Sequence, residues 1–457
     1  MQNPKRFQFS LYCLLFFFSV ICFSSVSAKI IYVKTDGSNA NVGNSWVNAY
    51  QTIQHAINAA VATDEIWVAA GTYKPTTTAD RTISFVLKNG VAMYGGFTGT
   101  ETQLNQRNHL LNETILSGEI GAANNNSDNT LRVVVATDAG NGTVLDGFTI
   151  TGGNANADPS ASGGGLYIFR STLTVARCKI TANNAADGGG VANVGGAPVF
   201  FDCRFTGNTS TFNGGGMRND DSKPTLDNCI VSGNLSASGG GMSNFSLINN
   251  TNPIIRNTVF LGNHGSGTGG AISNLSTSPV IVNCSFSGNS APNTGGGVFN
   301  NVSVSEAFSA PVLTNCIIWG NSSIFSLTGN LTTITYSIVQ GGFQGTGNLN
   351  LNPLFLSQPP IGLGSTGDLR VQTCSRAVNG GLNSANPTQI DPVGNPRIVL
   401  GTIDMGAYEV QSQPDCCPPG NVLYVNASAT GSNNGHSWAN ALTSIGEALQ
   451  KSDHARA

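Results

Sequence analysis

The sequence predicts an all-β solenoid built from stacked parallel coils, and three periodic features carry that prediction. Glycine runs begin at Gly163, Gly188, Gly214, Gly239, Gly269 and Gly295. A second mark falls at Cys178, Cys203, Cys229, Thr258, Cys284 and Cys316, and an asparagine follows five places later at Asn183, Asn208, Asn234, Asn263, Asn289 and Asn321. Steps of about 25 residues are too short for helical-pair repeats, and the Gly/Asn/Ser-rich composition suits β coils rather than Leu/Ala-rich helices.

Positions inside the repeat predict which side chains face the interior. Two residues after each mark stand Ile180, Phe205, Val231, Phe260, Phe286 and Ile318, so the mark and its second neighbour share the inward face of a strand. The alternate positions, Lys179, Arg204, Ile230, Val259, Ser285 and Ile317, then Thr181, Thr206, Ser232, Leu261, Ser287 and Trp319, have no common volume and are expected to point outward. Asparagine tolerates left-handed backbone and bonds its own turn, so the stacked asparagines are expected to form a ladder at a strand corner.

Composition agrees with a turn-rich solenoid and excludes one class of partner. Of 457 residues, 10% are charged and 57 are glycine. Between Asp146 and Gln340 stand eight acidic and seven basic residues, and the net charge is −3. Such a balance provides no electrostatic footprint for nucleic acid and no obvious steering for acidic polymers.

Residues 1–28 read as an export signal: Lys5 and Arg6, an apolar run from Leu11 to Phe23, and a small-residue cleavage site at Val26-Ser27-Ala28. Bulky Ile21 before Cys22 argues against a lipid anchor there. No second apolar run of spanning length follows, so no transmembrane segment is expected in the mature chain. An extracellular or bacterial outer-surface location follows from these features.

Two of the ten cysteines, Cys13 and Cys22, lie in the signal, and five occupy the repeat mark. Thr258 in the same slot favours a small buried packing residue over a metal or redox role. Cys374, Cys416 and Cys417 remain, and the sequence leaves their pairing open.

Near the start of the mature chain, Ile53, Ala56, Ile57 and Ala60 fall on one helical face, and Glu65 to Tyr73 then reads as strand. The helix is expected to cover the open end of the stack, where unpaired strand backbone invites aggregation. His55 on this helix is expected at the surface.

The helix with the Ile66-Trp67-Val68 and Gly71-Thr72-Tyr73 segments resembles the entry to right-handed parallel β-helix proteins of the pectin-lyase-like superfamily. Gly269-Gly270-Ala271-Ile272, with Phe205…Asn208, Phe260…Asn263 and Phe286…Asn289, resembles polymorphic outer-membrane-protein repeats. Asp368-Leu369-Arg370, Cys374-Ser375-Arg376-Ala377, Gly394-Asn395-Pro396-Arg397 and Asp404-Met405-Gly406-Ala407-Tyr408-Glu409 are similar to the choice-of-anchor Q domain of secreted bacterial proteins. Arg376, Asn379 and Gly380 depart from the proline, aspartate and alanine that this resemblance leads one to expect. The resemblance implies a right-handed parallel β-helix over residues 29–410, with repeat coils at 141–340 and the choice-of-anchor Q-like part at 341–410.

Enzymes of this fold class use carboxylates on adjacent coils, either holding calcium beside a basic proton acceptor or acting as an acid–base pair. The neighbouring pair in the repeats is Asp220-Asp221, flanked by Arg218 and Lys223, with Asp202, Asp227 and Arg256 on nearby coils. These are weak catalytic candidates, because the same segment in other coils carries ordinary turn residues. Asn263-His264-Gly265 has a superficial likeness to a polygalacturonase histidine motif, but no Arg-Ile-Lys triplet accompanies it, and His264 is expected in a turn. Calcium enters as a cofactor only under the lyase reading; otherwise no cofactor and no metal are expected.

Insertions mark a candidate binding side. The distance from glycine run to mark is 15 residues in four coils, 19 in the fourth and 21 in the sixth, whereas mark to next glycine run is always 10 or 11. The added residues, within 245–252 and 301–310, are expected to project from one side of the stack as a ridge around Leu247 and Val304. Phe245, Leu247, Phe308 and outward-facing Trp319 are candidate contacts for a sugar or a protein. An insertion without any ligand is the competing reading.

After a linker at 411–421, Leu423-Tyr424-Val425 and Gly435-His436-Ser437-Trp438-Ala439-Asn440-Ala441 repeat Ile31-Tyr32-Val33 and Gly43-Asn44-Ser45-Trp46-Val47-Asn48-Ala49 without a gap. Residues 422–457 therefore read as the beginning of a second β-helix copy, and the chain as a piece of a longer tandem protein. The sequence taken alone favours an exported, non-catalytic adhesion or glycan- or protein-binding module, with an extracellular polysaccharide or a surface protein as partner. A polysaccharide lyase or glycoside hydrolase is the alternative, and a purely structural stalk is the third.

Overall fold

The computed structural model describes residues 28–156, 162–247, 251–292, 295–301, 309–323, 325–327, 332–386, 388–412 and 422–454. Residues 1–27 of the expected signal at 1–28, most of the expected linker at 411–421, Cys416, Cys417, Val304 and Phe308 lie outside the described residues.

Four successive coils of the repeat visit four sheets in turn. The chain passes from Thr174–Ala176 in an 11-stranded sheet to Lys179–Thr181 in a 10-stranded sheet, then Asn184–Asp187 in a 4-stranded sheet, then Val191–Val194 in a 9-stranded sheet. It returns to the first sheet at Val199–Phe201, directly beside Thr174–Ala176. The pairing is parallel and in register from coil to coil. This is the expected right-handed parallel β-helix. It begins earlier than the visible repeat, with strand Ile30–Val33, and helix Ile53–Ala59 buries Ile53, Ala56 and Ile57 over that end. Among the described residues no helix is long and apolar enough to cross a membrane.

The inward face is as expected. All five repeat cysteines are buried and free, and with Thr258 they stack between Ile180, Phe205, Val231, Phe260, Phe286 and Ile318. Burial pushes the thiols of Cys178, Cys203 and Cys284 well above the ordinary range, so they remain neutral packing groups. Cys203 Sγ contacts the carbonyls of Val175 at 3.3 Å and Phe201 at 3.5 Å, while Thr258 Oγ1 donates to the Arg256 carbonyl at 2.8 Å. A hydroxyl in this slot therefore finds an acceptor two residues back. Cys203→Ser is expected to lower stability by no more than about 1 kcal/mol in urea unfolding, rather than the ~1–3 kcal/mol of an unpaired buried hydroxyl. A larger loss would mean that the slot cannot seat the hydroxyl as it does in Thr258.

The asparagine ladder forms, but by a different device from the expected one. The left-handed residue is the one before each asparagine: Ala182, Gly207, Gly233, Gly262, Gly288 and Gly320, with φ between 53° and 72°. The turn made by that residue aims the asparagine side chain inward along the stack axis. Asn208 Nδ2 and backbone N both donate to Asn234 Oδ1, at 3.1 and 3.0 Å, and Asn234 repeats the pattern on Asn263. His264, expected in a turn, instead opens strand His264–Thr268 and pairs through Nδ1 with Ser290 Oγ at 2.8 Å.

A second left-handed column lies one residue before each mark: Arg177, Asp202, Asn228, Asn257, Asn283 and Asn315, with φ between 46° and 56°. Its last three members bond along the stack, Asn283 to Asn257 at 3.2 Å and Asn315 to Asn283 at 3.0 Å. The C-terminal segment runs antiparallel to the stack over this part. Leu382 meets Asn315, Asn386 meets Asn283, and Thr388 meets Asn257. Beside it, Ala407 N donates to Ser285 Oγ and Gly406 N to the Asn315 carbonyl.

That segment also covers outward positions of the 10-stranded sheet. Val259, Leu261 and Ile317, with Ile230 and Trp319 at the margin, form a second apolar cluster with Phe355, Leu369, Val371, Ala377, Val378, Met405 and Ala407. Trp319 does point outward from the coil, but it is half-buried under this layer and offers no open platform. Inside the layer Arg397 and Glu409, both with fully buried side chains, lie 3.6 Å apart. Arg397 donates to the carbonyls of Ala407, Asp404 and Gly406. Asp404 accepts from the backbone N–H groups of Asn379 and Val410. Cys374, also in this segment, is disulfide-bonded.

Residues 422–454 rebuild the beginning of the chain in miniature. Tyr424 and Trp438 meet at 5.1 Å and 66°, against 4.8 Å and 67° for Tyr32 and Trp46. The bridge Val425–Leu442 matches Val33–Tyr50, and helix Ile445–His454 follows as Ile53–Ala59 does.

Candidate functional site

A hollow of about 760 Å³ opens where the 11- and 10-stranded sheets meet, over the first coils of the repeat. Its floor is a ladder of outward residues on adjacent strands, Thr149, Lys179 and Arg204. Arg177, Asp202 and Asn228, from the left-handed column, edge it. Turns 107–111 and 390–394 close its two ends along the stack.

Both end turns are held by their own side chains. Asn108 Oδ1 accepts from the backbone of Leu110 and Leu111, each at 3.1 Å, which turns both leucine side chains outward. Arg107 fastens this turn to the solenoid through Asp146 at 2.9 Å and the Gly95 carbonyl at 2.8 Å. At the other end Asp391 Oδ1 accepts from Val393 and Asn395, fixing a tight turn through Gly394, whose φ is 85°.

The charges in the hollow divide into paired and free groups. Asp146 is buried and ion-paired to both Arg107 and Arg177, so both of its oxygens are engaged. Glu113 accepts from Thr149 Oγ1 at 2.7 Å. Lys179 and Arg204 are exposed and make no side-chain hydrogen bond or ion pair with another described residue. Burial pushes the Asp202 carboxyl up, against the pull of the neighbouring Arg204 and Arg177. Burial, reinforced by Arg107 and Arg177, pulls the His109 imidazole down, which favours its neutral form at physiological pH.

The sequence-predicted residues lie elsewhere, on the 9-stranded sheet and its margin. Arg218 bonds Asp220 at 2.6 Å and reaches Asp187 at 3.7 Å, so two carboxylates do share one guanidinium. Asp221, with φ 45°, accepts from Ser246 Oγ and the Leu247 backbone, and so holds the start of the first insertion. Lys223 is exposed. The Arg218 guanidinium lies 5.5 Å from the Phe245 ring centre, and both border a shallow hollow of about 310 Å³ with Ser243 and Ser273. Asp220 and Asp221 do not line this hollow.

The two insertions start from the same side of the stack, and most of their residues lie outside the described ones. They begin at Phe245 and Asn301, which are linked through Leu275 by in-register pairing, two strands apart. Leu247 is exposed at the base of the first. The repeat alone does not reveal the larger hollow, because its end turns fall outside the repeat and the spacing places Lys179 and Arg204 only as outward-facing.

Fold and site together define a parallel β-helix scaffold with a charged hollow on its side. Residues 35–247 match the family described as "Protein of unknown function (DUF1565)". No curated protein matches the chain in sequence. Among solved structures, a pectate lyase, Pel9A, is similar at 15% identity and TM-score 0.51, covering 84% of this chain and 97% of its own. A rhamnogalacturonan lyase aligns at 13% identity and TM-score 0.40, covering 76% of this chain and 97% of its own. Pectin methylesterase PemA from Erwinia chrysanthemi aligns at 11% identity and TM-score 0.37, covering 66% and 92%. These likenesses concern the fold alone.

Proposed function

We propose that this chain is an exported surface module that binds an acidic polysaccharide in the hollow between turns 107–111 and 390–394, without turning it over. The observation that carries this reading is the pair Lys179 and Arg204, two free cations on adjacent strands about 4.8 Å apart. Carboxylates of a polymer can meet both at once, and the paired charges around them leave these two available. Export is supported by the apolar run after Lys5 and Arg6 and by the disulfide at Cys374, which suits an oxidising compartment. Residues 341–410 are proposed as the choice-of-anchor Q-like part, here serving as the layer that holds turn 390–394 in place.

Catalysis is the second reading, and Asp202 is what favours it: a half-buried carboxyl with a raised pKa beside two arginines. A hydrolase needs a second free carboxylate, but Asp146 is held by two arginines and Glu113 by Thr149. The same donor set does not suit calcium, since among the described residues no three His, Cys, Asp or Glu side chains converge.

Calorimetric titration with uronate oligosaccharides tests the assignment. Lys179→Ala combined with Arg204→Ala is expected to weaken binding about 10- to 30-fold, at roughly 1 kcal/mol for each partly exposed contact. Added salt should weaken the wild type towards the double variant. Unchanged affinity in the double variant would refute the site, and binding of no glycan at all would leave the stalk reading. Turnover abolished by Asp202→Asn would establish the enzyme instead.

A further inference from the structure

Resting on that reading of the hollow, we infer that its ligand is an acyl-substituted acidic polysaccharide, one that carries acetyl groups on its sugars while its carboxylates remain free. The end turns present aliphatic side chains to water on both sides of the charged floor. Leu110 is 77% exposed and Leu111 81%, and opposite them Ile390 is 41% and Val393 55% exposed. Both pairs border the one hollow. Each is held outward by its turn, the leucines by Asn108 and Val393 by Asp391. Two adjacent leucines kept this exposed contribute nothing to folding; their apolar area is gained only when a ligand covers it.

The chemistry of the rims selects the ligand. Flat C–H faces of unsubstituted sugars pack best on open aromatic rings, but the rings that line the hollow, Phe148, Phe201 and His109, are buried or half-buried, and the exposed apolar groups of both rims are branched aliphatics, which suit methyl groups. Methyl esterification of the carboxylate would supply a methyl but remove the charge that Lys179 and Arg204 require. Acyl substitution on a hydroxyl or amine supplies the methyl and leaves the carboxylate ionised. Charged floor and apolar rims are then satisfied by one polymer, its acid groups below and its acyl groups against the two turns.

The test compares an O-acetylated oligouronate with the same material after saponification, and with a fully methyl-esterified form, by calorimetry on the full chain. The wild type is expected to bind the acetylated form about 3- to 10-fold more tightly than the saponified form, and the neutral ester most weakly. Leu110→Ser with Leu111→Ser should abolish that preference, bringing the acetylated and saponified forms to equal affinity, and Val393→Ser should reduce it. Because these side chains face water, the variants should unfold at the wild-type midpoint. Equal binding of acetylated and saponified forms by the wild type, or a preference that survives in the double serine variant, overturns the acyl assignment alone. Binding of neither form overturns the acidic-polysaccharide reading on which it rests.

Discussion

Asn234→Ala is expected to lower the unfolding free energy by about 2–5 kcal/mol, far more than an ordinary surface asparagine. Asn234 is fully buried, and its Oδ1 is the acceptor for both the backbone N and Nδ2 of Asn208. Its own Nδ2 donates to the Phe205 carbonyl at 2.9 Å and to Asn263 Oδ1 at 2.9 Å. Alanine leaves the Asn208 backbone donor without a partner in the interior, where water cannot replace the lost acceptor. Urea denaturation followed by far-UV circular dichroism checks this against Asn433→Ala in the second cap. A loss below about 0.5 kcal/mol would show that the ladder is not a cooperative support.

Arg397→Ala is expected to release the C-terminal layer at neutral pH, with a loss of about 3–5 kcal/mol, because it leaves buried carboxylates without their cation. Burial, reinforced by Glu409, pushes the Asp404 carboxyl up to about 7, and burial raises Glu409 as well. A carboxyl whose pKa is raised on folding binds more protons folded than unfolded. Its stabilising contribution is therefore complete below the ordinary carboxylate range and disappears as pH rises through about 7. The wild-type layer should accordingly weaken between about pH 5 and pH 8, by up to about 3 kcal/mol. The variant should recover at the acid end, where its carboxyls are neutral. Hydrogen exchange over residues 382–410 measures both effects, and a layer equally protected across that range in wild type would contradict the assignment.

The interior was legible in the sequence because its spacing is strict. The cysteine slot, its second neighbour and the buried asparagine recur with few exceptions, and each maps onto one wall of the coil. The outer surface was only half legible. Lys179, Arg204, Ile230, Val259, Ser285 and Ile317 form a mixed set when pooled, yet the structure sorts them by coil. The charged members line the hollow, while the apolar members and Ser285 lie beneath the C-terminal layer. That sorting depends on where residues 382–410 return along the stack, a long-range contact invisible to any local pattern. Whole-chain charge balance likewise concealed the local gathering of Arg107, Asp146, Arg177, Lys179, Asp202 and Arg204. Read as a column, the residue before each mark contains Arg177, Asp202 and Asn228, and would have pointed to the edge of the hollow.

The C-terminal layer meets the corner asparagines of three successive coils, and this makes it a gauge of coil number. One coil added between Asn257 and Asn315 would throw Leu382, Asn386 and Thr388 out of step with their partners, so duplication there is blocked. One coil added between Arg204 and Asn228 would keep every one of those contacts. It would carry turn 390–394 one strand farther from turn 107–111, lengthening the hollow by about 4.8 Å. The length of the hollow can therefore change in whole-coil steps, by duplication between turn 107–111 and Asn257, rather than by gradual reshaping of loops.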